Sequence, residues 1–143
     1  MDLNGKIVLV AGGAGGIGLG IAKAFLAEGC KVALADANEE ALINAAKPKG
    51  GDPAFVWRTC DITRRRQVSQ LFQWLGEELG PVDILVNSAG INVANRMFSN
   101  IDPKDFDRVM EVNTTGTFNC IHAALPVMRK RGSGLIVNIV SIA

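Results

Sequence analysis

Short apolar runs alternate with segments of helical periodicity along almost the whole chain. Ile7 to Val10, Lys31 to Ala35, Phe55 to Thr59, Val82 to Val86 and Leu135 to Val140 read as five strands. The fourth and fifth are too continuously apolar to be half exposed, as strands of a parallel sheet covered on both faces by helices must be. Between them, Ile17, Ile21 and Phe25, four apart, mark the inner face of a first helix closed by Gly29. A polar segment through Ala46 reads as a short helix, and Pro48 to Pro53 as a loop. Val68, Leu71, Phe72 and Leu75 follow the i, i+3, i+4, i+7 pattern of a helix stopped by Gly80 and Pro81.

A long helix then enters through Asp102, Pro103 and Asp105: an N-cap, a proline at the first helical position and an early acid. Phe106, Val109, Met110, Thr117, Cys120, Ile121 and Ala124 mark its inner stripe, which Asn113 and Gly116 share, and Pro126 is expected to kink or end it. The repeated β-α order predicts one α/β domain over residues 1–143, an open, doubly wound parallel sheet with right-handed crossovers.

The first strand meets the first helix through Gly12, Gly13, Ala14, Gly15, Gly16, Ile17 and Gly18, a loop almost without side chains. Such a loop lets backbone N–H groups approach a pyrophosphate, toward which the helix turns its positive end. Asp36 closes the second strand 18 residues after Gly18, near the spacing of a carboxylate that accepts hydrogen bonds from an adenosine ribose. This favours NAD over NADP, because Asp36 would repel a 2′-phosphate and neither Ala37 nor Gly15 offers a compensating charge. Asp36 also suits a plain turn role before Asn38.

Composition narrows the partners. With 48% hydrophobic and 20% charged residues and a net charge of +1, the chain is an ordinary globular domain without the field that nucleic acid or an acidic membrane would need. The basic clusters Arg64 to Arg66 and Arg129 to Arg131 read as solvated helix ends. Cys30, Cys60 and Cys120 form no Cys-x-x-Cys pair and read as buried reduced thiols, and His122 lacks partners in sequence, so no metal is expected. There is no signal-peptide pattern and no apolar run near the ~20 residues of a membrane helix, so the expected compartment is the cytoplasm.

Across essentially its whole length the chain resembles the short-chain dehydrogenase/reductase family. That family's Thr-Gly-x-x-x-Gly-x-Gly loop corresponds to Ala11, Gly12, Gly16 and Gly18, with alanine in place of threonine, and its Asn-Asn-Ala-Gly to Asn87, Ser88, Ala89 and Gly90. The resemblance implies a Rossmann fold, an NAD cofactor contacted by Asn87 and Ala89, and an adenine ring held by Asp61 and Ile62. Asp61 suits an N-cap of the following helix equally well. Asn113, in Val112 to Gly116, matches the family asparagine that orders water in a proton relay. Ser141 matches the serine that polarises the substrate carbonyl, with Val140 replacing the serine common before it.

The family's proton donor, the tyrosine of Tyr-x-x-x-Lys, falls a little beyond Ala143, and the 143 residues contain no tyrosine. The expectation is therefore the N-terminal part of a longer dehydrogenase, acting on an alcohol or carbonyl substrate and inactive as these residues alone. A non-catalytic dinucleotide-binding or interaction module, and an NADP-dependent oxoacyl reductase, are the alternatives. The loop from Ile91 to Asn100 is expected to border the substrate. By analogy with the family's dimer-forming helix, the long helix implies a homodimer or homotetramer.

Overall fold

The computed structural model describes residues 2–47, 55–94 and 97–141; the loop expected at Pro48 to Pro53 lies outside them. Strands β1 (Ile7–Ala11), β2 (Lys31–Asp36), β3 (Val56–Thr59), β4 (Ile84–Asn87) and β5 (Leu135–Asn138) alternate with helices α1 (Gly16–Ala27), α2 (Glu39–Ala46) and α3 (Arg65–Glu78) and with a last helical run that contains α4 (Pro103–Met110) and α5 (Thr117–Arg131). The strands pair in parallel in the order β3-β2-β1-β4-β5. The chain winds outward from β1 on one side, then returns to lay β4 against its other edge. This is the doubly wound, Rossmann-type sheet, with its switch of direction between β1 and β4.

Strand alternation sorts the core into two layers. Val8, Val10, Val32, Leu34, Ile84 and Val86 face Ala22 of α1 and Leu42 of α2. Leu9, Ala11, Ala33, Ala35 and Leu85 face Val68, Leu71 and Leu75 of α3 and Cys120 and Ala124 of α5. Each wholly buried leucine or valine contributes about 1.5–3 kcal/mol of transfer free energy, so the sheet centre dominates the stability of the domain.

Several expectations shift in register. On α1 the buried residues are Gly18 and Ala22, while Ile17 is 66% exposed and Ile21 and Phe25 only border the core. The helix lies so close to the sheet that its contact face must be made of small residues. β4 starts later than expected and includes Asn87, and β5 ends at Asn138, before Val140. β5 is not fully covered: Leu135 and Asn138 are exposed, since among the described residues it pairs with β4 alone.

The long helix is continuous but not uniform. Between α4 and α5, Glu111–Gly116 forms a π-helical turn. The i→i+5 bonding of that turn advances the phase of the buried stripe. Val112, Gly116, Asn119, Cys120, Ala124 and Met128 are buried, whereas Phe106 is 51% and Met110 42% exposed and Asn113 is also exposed. The uniform 3.6 period behind the expected stripe does not survive the wide turn. Pro126 does not end the helix, which continues to Arg131 and stops at Gly132 with φ of 68°. Pro126 and His122, whose carbonyl the ring displaces, are both exposed, so water can satisfy that carbonyl.

Arg131 is not a solvated end. Its Nη2 donates to Val82 O at 2.6 Å and its Nη1 to Pro81 O at 3.2 Å, and Nη2 pairs with Asp83 Oδ1 at 3.2 Å. Asp83 Oδ2 in turn accepts from Ile7 N at 2.9 Å, and Lys6 Nζ stands 3.8 Å from Oδ1. The end of α5 is thereby tied to the beginnings of β1 and β4.

The three cysteines are free and buried. Burial pushes the Cys60 thiol up to about 11 and the Cys120 thiol up to about 12. With such pKa values a thiol is about one part in a thousand thiolate or less at pH 8, and only the thiolate is nucleophilic. Native protein treated with iodoacetamide at pH 8 is therefore expected to leave Cys60 and Cys120 unmodified by mass spectrometry, while the unfolded chain is alkylated at both; rapid native labelling of either would contradict this placement.

Candidate functional site

The loop after β1 is folded against its own neighbours. Gly12 N and Gly13 N both donate to Ala35 O, at 2.8 and 3.0 Å, and Gly15 N donates to Gly12 O at 3.3 Å. Ala14 N donates to Asp36 Oδ2 at 3.3 Å. The donors left for an anion are those of the first turn of α1, at Gly16, Ile17 and Gly18, a turn that no side chain caps and that carries no acid. The glycines divide by role. Gly12 has φ of 79°, and a Cβ there would collide with the backbone of Ala89; a Cβ at Gly18 would collide with the carbonyl of Gly12, and one at Gly13 would come within 2.9 Å of Leu34 Cδ2. A Cβ at Gly15 would meet only Gly12 O at 3.5 Å, and one at Gly16 nothing within 4 Å. The first three glycines close the fold; Gly15 and Gly16 keep open the space in front of the helix.

Asp36 is the last residue of β2 and projects toward this loop. Its Oδ1 also accepts from Asn38 N at 3.1 Å, so Asp36 holds the turn after β2 while its other oxygen faces the glycine loop. Asp61 and Ile62 follow β3 on the same edge of the sheet. Asp61 is not the N-cap of α3, a position held by Arg64; its Oδ1 instead accepts from Thr63 N at 3.0 Å and Thr63 Oγ1 at 2.8 Å, while Asp61 N donates to Gln67 Oε1 at 2.8 Å. Partial burial raises the Asp61 carboxyl, but the Thr63 hydrogen bonds together with Arg108 and Arg64 outweigh it and hold the group below its ordinary value. It is an anion at neutral pH.

At the end of β4, Asn87 is buried beneath the groove. Its Nδ2 donates to Asn138 Oδ1 at 2.8 Å across the β4–β5 register, and its Oδ1 is buried without a hydrogen-bond partner among the described residues. Ser88 N continues the ladder by donating to Ala11 O at 2.8 Å. Asn113, on the wide turn, is exposed yet fully engaged: its Oδ1 accepts from Ile91 N and its Nδ2 donates to Ile91 O, both at 2.9 Å. Ser141 lies past β5 on the same sheet edge, exposed and outside the groove lining.

One groove at the switch point gathers most of these groups. Gly12, Gly15, Asp36, Asp61, Ile62, Ala89 and Gly90 line it, joined by Ala37, Cys60, Ser88, Ile91, Arg108 and Val112. Arg108 and Val112 were not among the site residues expected from the sequence. Val112 precedes Asn113 directly and was legible as its neighbour; Arg108, paired with Glu111 at 2.7 Å, carries no such signal. An uncapped helix end, open space before two glycines, an acid at the end of β2 and the unpartnered Asn87 acceptor fit a dinucleotide, with pyrophosphate at α1 and a ribose at Asp36.

A parallel sheet of this order with a glycine loop at its switch point defines a dinucleotide-binding α/β protein. Comparison with known families carries the assignment further: the short chain dehydrogenase family matches residues 6–143, and the chain belongs to that family. It is 38% identical over 141 residues to an uncharacterised oxidoreductase of Mycobacterium bovis, a match covering 99% of this chain and 57% of the relative. A 3α-hydroxysteroid dehydrogenase of Mediterraneibacter gnavus is 34% identical over 141 residues, covering 96% of this chain and 56% of the relative. A structure from Novosphingobium aromaticivorans, provisionally assigned as a short-chain dehydrogenase, superposes with a TM-score of 0.90 at 30% identity, covering 99% of this chain and 54% of that one. The chain thus spans about half the length of the curated relatives it matches. Family and fold agree: these residues form the Rossmann-type sheet of the short chain dehydrogenase family.

The two classes of glycine make different predictions. Gly12→Ala and Gly18→Ala are each expected to cost about 1–3 kcal/mol or more through backbone strain or collision, seen as a lowered Tm, whereas Gly15→Ala should stay within about 0.5 kcal/mol of the parent. Equal losses at all three positions would contradict the division.

Proposed function

We propose that the protein is an NAD(H)-dependent oxidoreductase that interconverts an alcohol and a ketone or aldehyde by hydride transfer, with these 143 residues as a single dinucleotide-binding domain of the enzyme. The observation that carries the choice of NAD is Asp36, whose carboxylate stands at the end of β2 against the glycine loop, where a 2′-phosphate would meet a like charge. When bound, the nicotinamide dinucleotide supplies the hydride acceptor or donor.

The chain's own residues bind and orient. The N–H groups at Gly16, Ile17 and Gly18 hold the pyrophosphate with the help of the α1 dipole. Asp36 accepts from the adenosine ribose hydroxyls, Asp61 and Ile62 hold the adenine, and Asn87, Ala89 and Gly90 bear on the cofactor from the end of β4. Ser141 donates to the substrate carbonyl oxygen, and Asn113 serves the proton path through the backbone it fixes at Ile91. Among the relatives, a 3α-hydroxysteroid dehydrogenase supports an alcohol or carbonyl substrate of small-molecule size. The exposed apolar side chains of α4 support a homodimer or homotetramer. Among the described residues no helix is long and apolar enough to cross a membrane, and with three free thiols we propose a cytoplasmic protein.

Full-length protein is expected to turn over secondary alcohols faster with NAD than with NADP, followed by nicotinamide absorbance. Replacing Asp36 with serine and Ala37 with arginine should shift the ratio of kcat/KM toward NADP by about tenfold or more, since one lost repulsion and one gained ion pair together exceed 1.4 kcal/mol. An unchanged ratio would sink the NAD assignment. The 143 residues, which include no tyrosine to donate a proton, should bind NAD without turnover.

A further inference from the structure

Asn119 is 4% exposed, a polar side chain set into the apolar face of α5. Its Nδ2 donates to Ile62 O at 2.9 Å and lies 3.4 Å from Thr63 O; its Oδ1 accepts from Arg65 Nε at 3.3 Å. The neighbouring contact is steric. A Cβ at Gly116 would come within 2.5 Å of Ile62 Cγ1, so the Ile62 side chain rests directly on the backbone of the wide turn. Ile62 is gripped twice by one helix: its carbonyl by Asn119 and its side chain by Gly116. Ile62 is itself a buried member of the core layer beneath α3 and α5, at the margin where that layer meets the groove. Both contacts act on the short segment that carries Asp61 and Ile62 into the groove.

We propose that Asn119 is a positioning residue for the adenosine end of the bound dinucleotide, acting through Ile62, with Gly116 as its steric counterpart. The inference rests on the dinucleotide reading above and adds to it a residue that touches no ligand. A buried amide that merely filled space would need partners anywhere within reach; this one spends its donor on the carbonyl of a groove-lining residue. Removing it frees the Ile62 carbonyl and lets the segment leave the position in which Ile62 meets the ring. Of the other contacts, Asp61 with Thr63 and Gln67 shapes the segment internally, and Cys60 N, donating to Asp36 O at 2.8 Å, ties its start to β2; the Ile62 carbonyl itself is held by Asn119.

The test compares AMP and NAD binding by calorimetry in full-length protein, together with Tm, kcat and the KM for NAD. Asn119→Leu is expected to weaken AMP about tenfold and raise the KM for NAD to match, the fold-change that corresponds to one lost buried hydrogen bond, while kcat stays within about twofold. Arg65→Met, which removes only the outer partner of Asn119, should leave AMP binding within about twofold. If Asn119→Leu does not fold, Gly116→Ala displaces Ile62 from the other side and should give the same selective loss. Wild-type AMP affinity in a folded Asn119→Leu or Gly116→Ala variant overturns the assignment of Asn119 alone. Failure of the wild type to bind either AMP or NAD overturns the dinucleotide reading and this inference with it.

Discussion

The whole site depends on how closely backbone meets backbone at Gly12. On one side stands the main chain of Ala89, at the end of β4; on the other its carbonyl faces Gly18 in the first turn of α1. Any side chain at this crossing would part the ends of β1 and β4 or lift the helix off the sheet. The groove would then lose both its floor and its positive wall. Glycine here carries an entropic cost of about 0.5–1 kcal/mol per position relative to alanine, and the burial of the strands beside it more than offsets that.

That constraint also explains what the sequence made legible. Short apolar runs identified the five strands; Asp36 stood out by its spacing from Gly18 and Asp61, Ala89 and Gly90 through the family resemblance, and all four line the groove at the C-terminal edge of the sheet. The face of α1 was misread for the same physical reason. Periodicity weights large side chains, and this helix makes its nearest contacts with Gly18 and Ala22. β5 carries the same apolar pattern as β4, since a pattern within one strand says nothing of how many neighbours the strand has.

The misplaced stripe of the long helix has its source in the wide turn at Glu111–Gly116. A stripe projected at 3.6 residues per turn puts Phe106, Met110 and Asn113 inside together with Gly116; the wide turn keeps Gly116 buried but brings Val112 and Asn119 inside in place of the others. Nothing in the composition of Glu111 to Gly116 announces the turn. Its effect is to give one helix two amide side chains directed at backbone on separate loops, Asn113 at Ile91 and Asn119 at Ile62. Loops that border ligand sites are ordinarily the least constrained parts of a fold. These two are pinned by a rigid element.

The Arg131 cluster works at the opposite pole. It ties α5 to Pro81, Val82 and Asp83, and through Asp83 to the start of β1, where no ligand group stands. This second fastening therefore stands one strand length from the groove, separate from the glycine contacts that close the fold beside it. Substitutions that strengthen the fastening need not stiffen the groove, and a groove that drifts toward new substrates need not loosen the fastening. The trade between stability and activity that constrains many enzymes is relaxed by this separation, which leaves room for sequence change at the ligand edge.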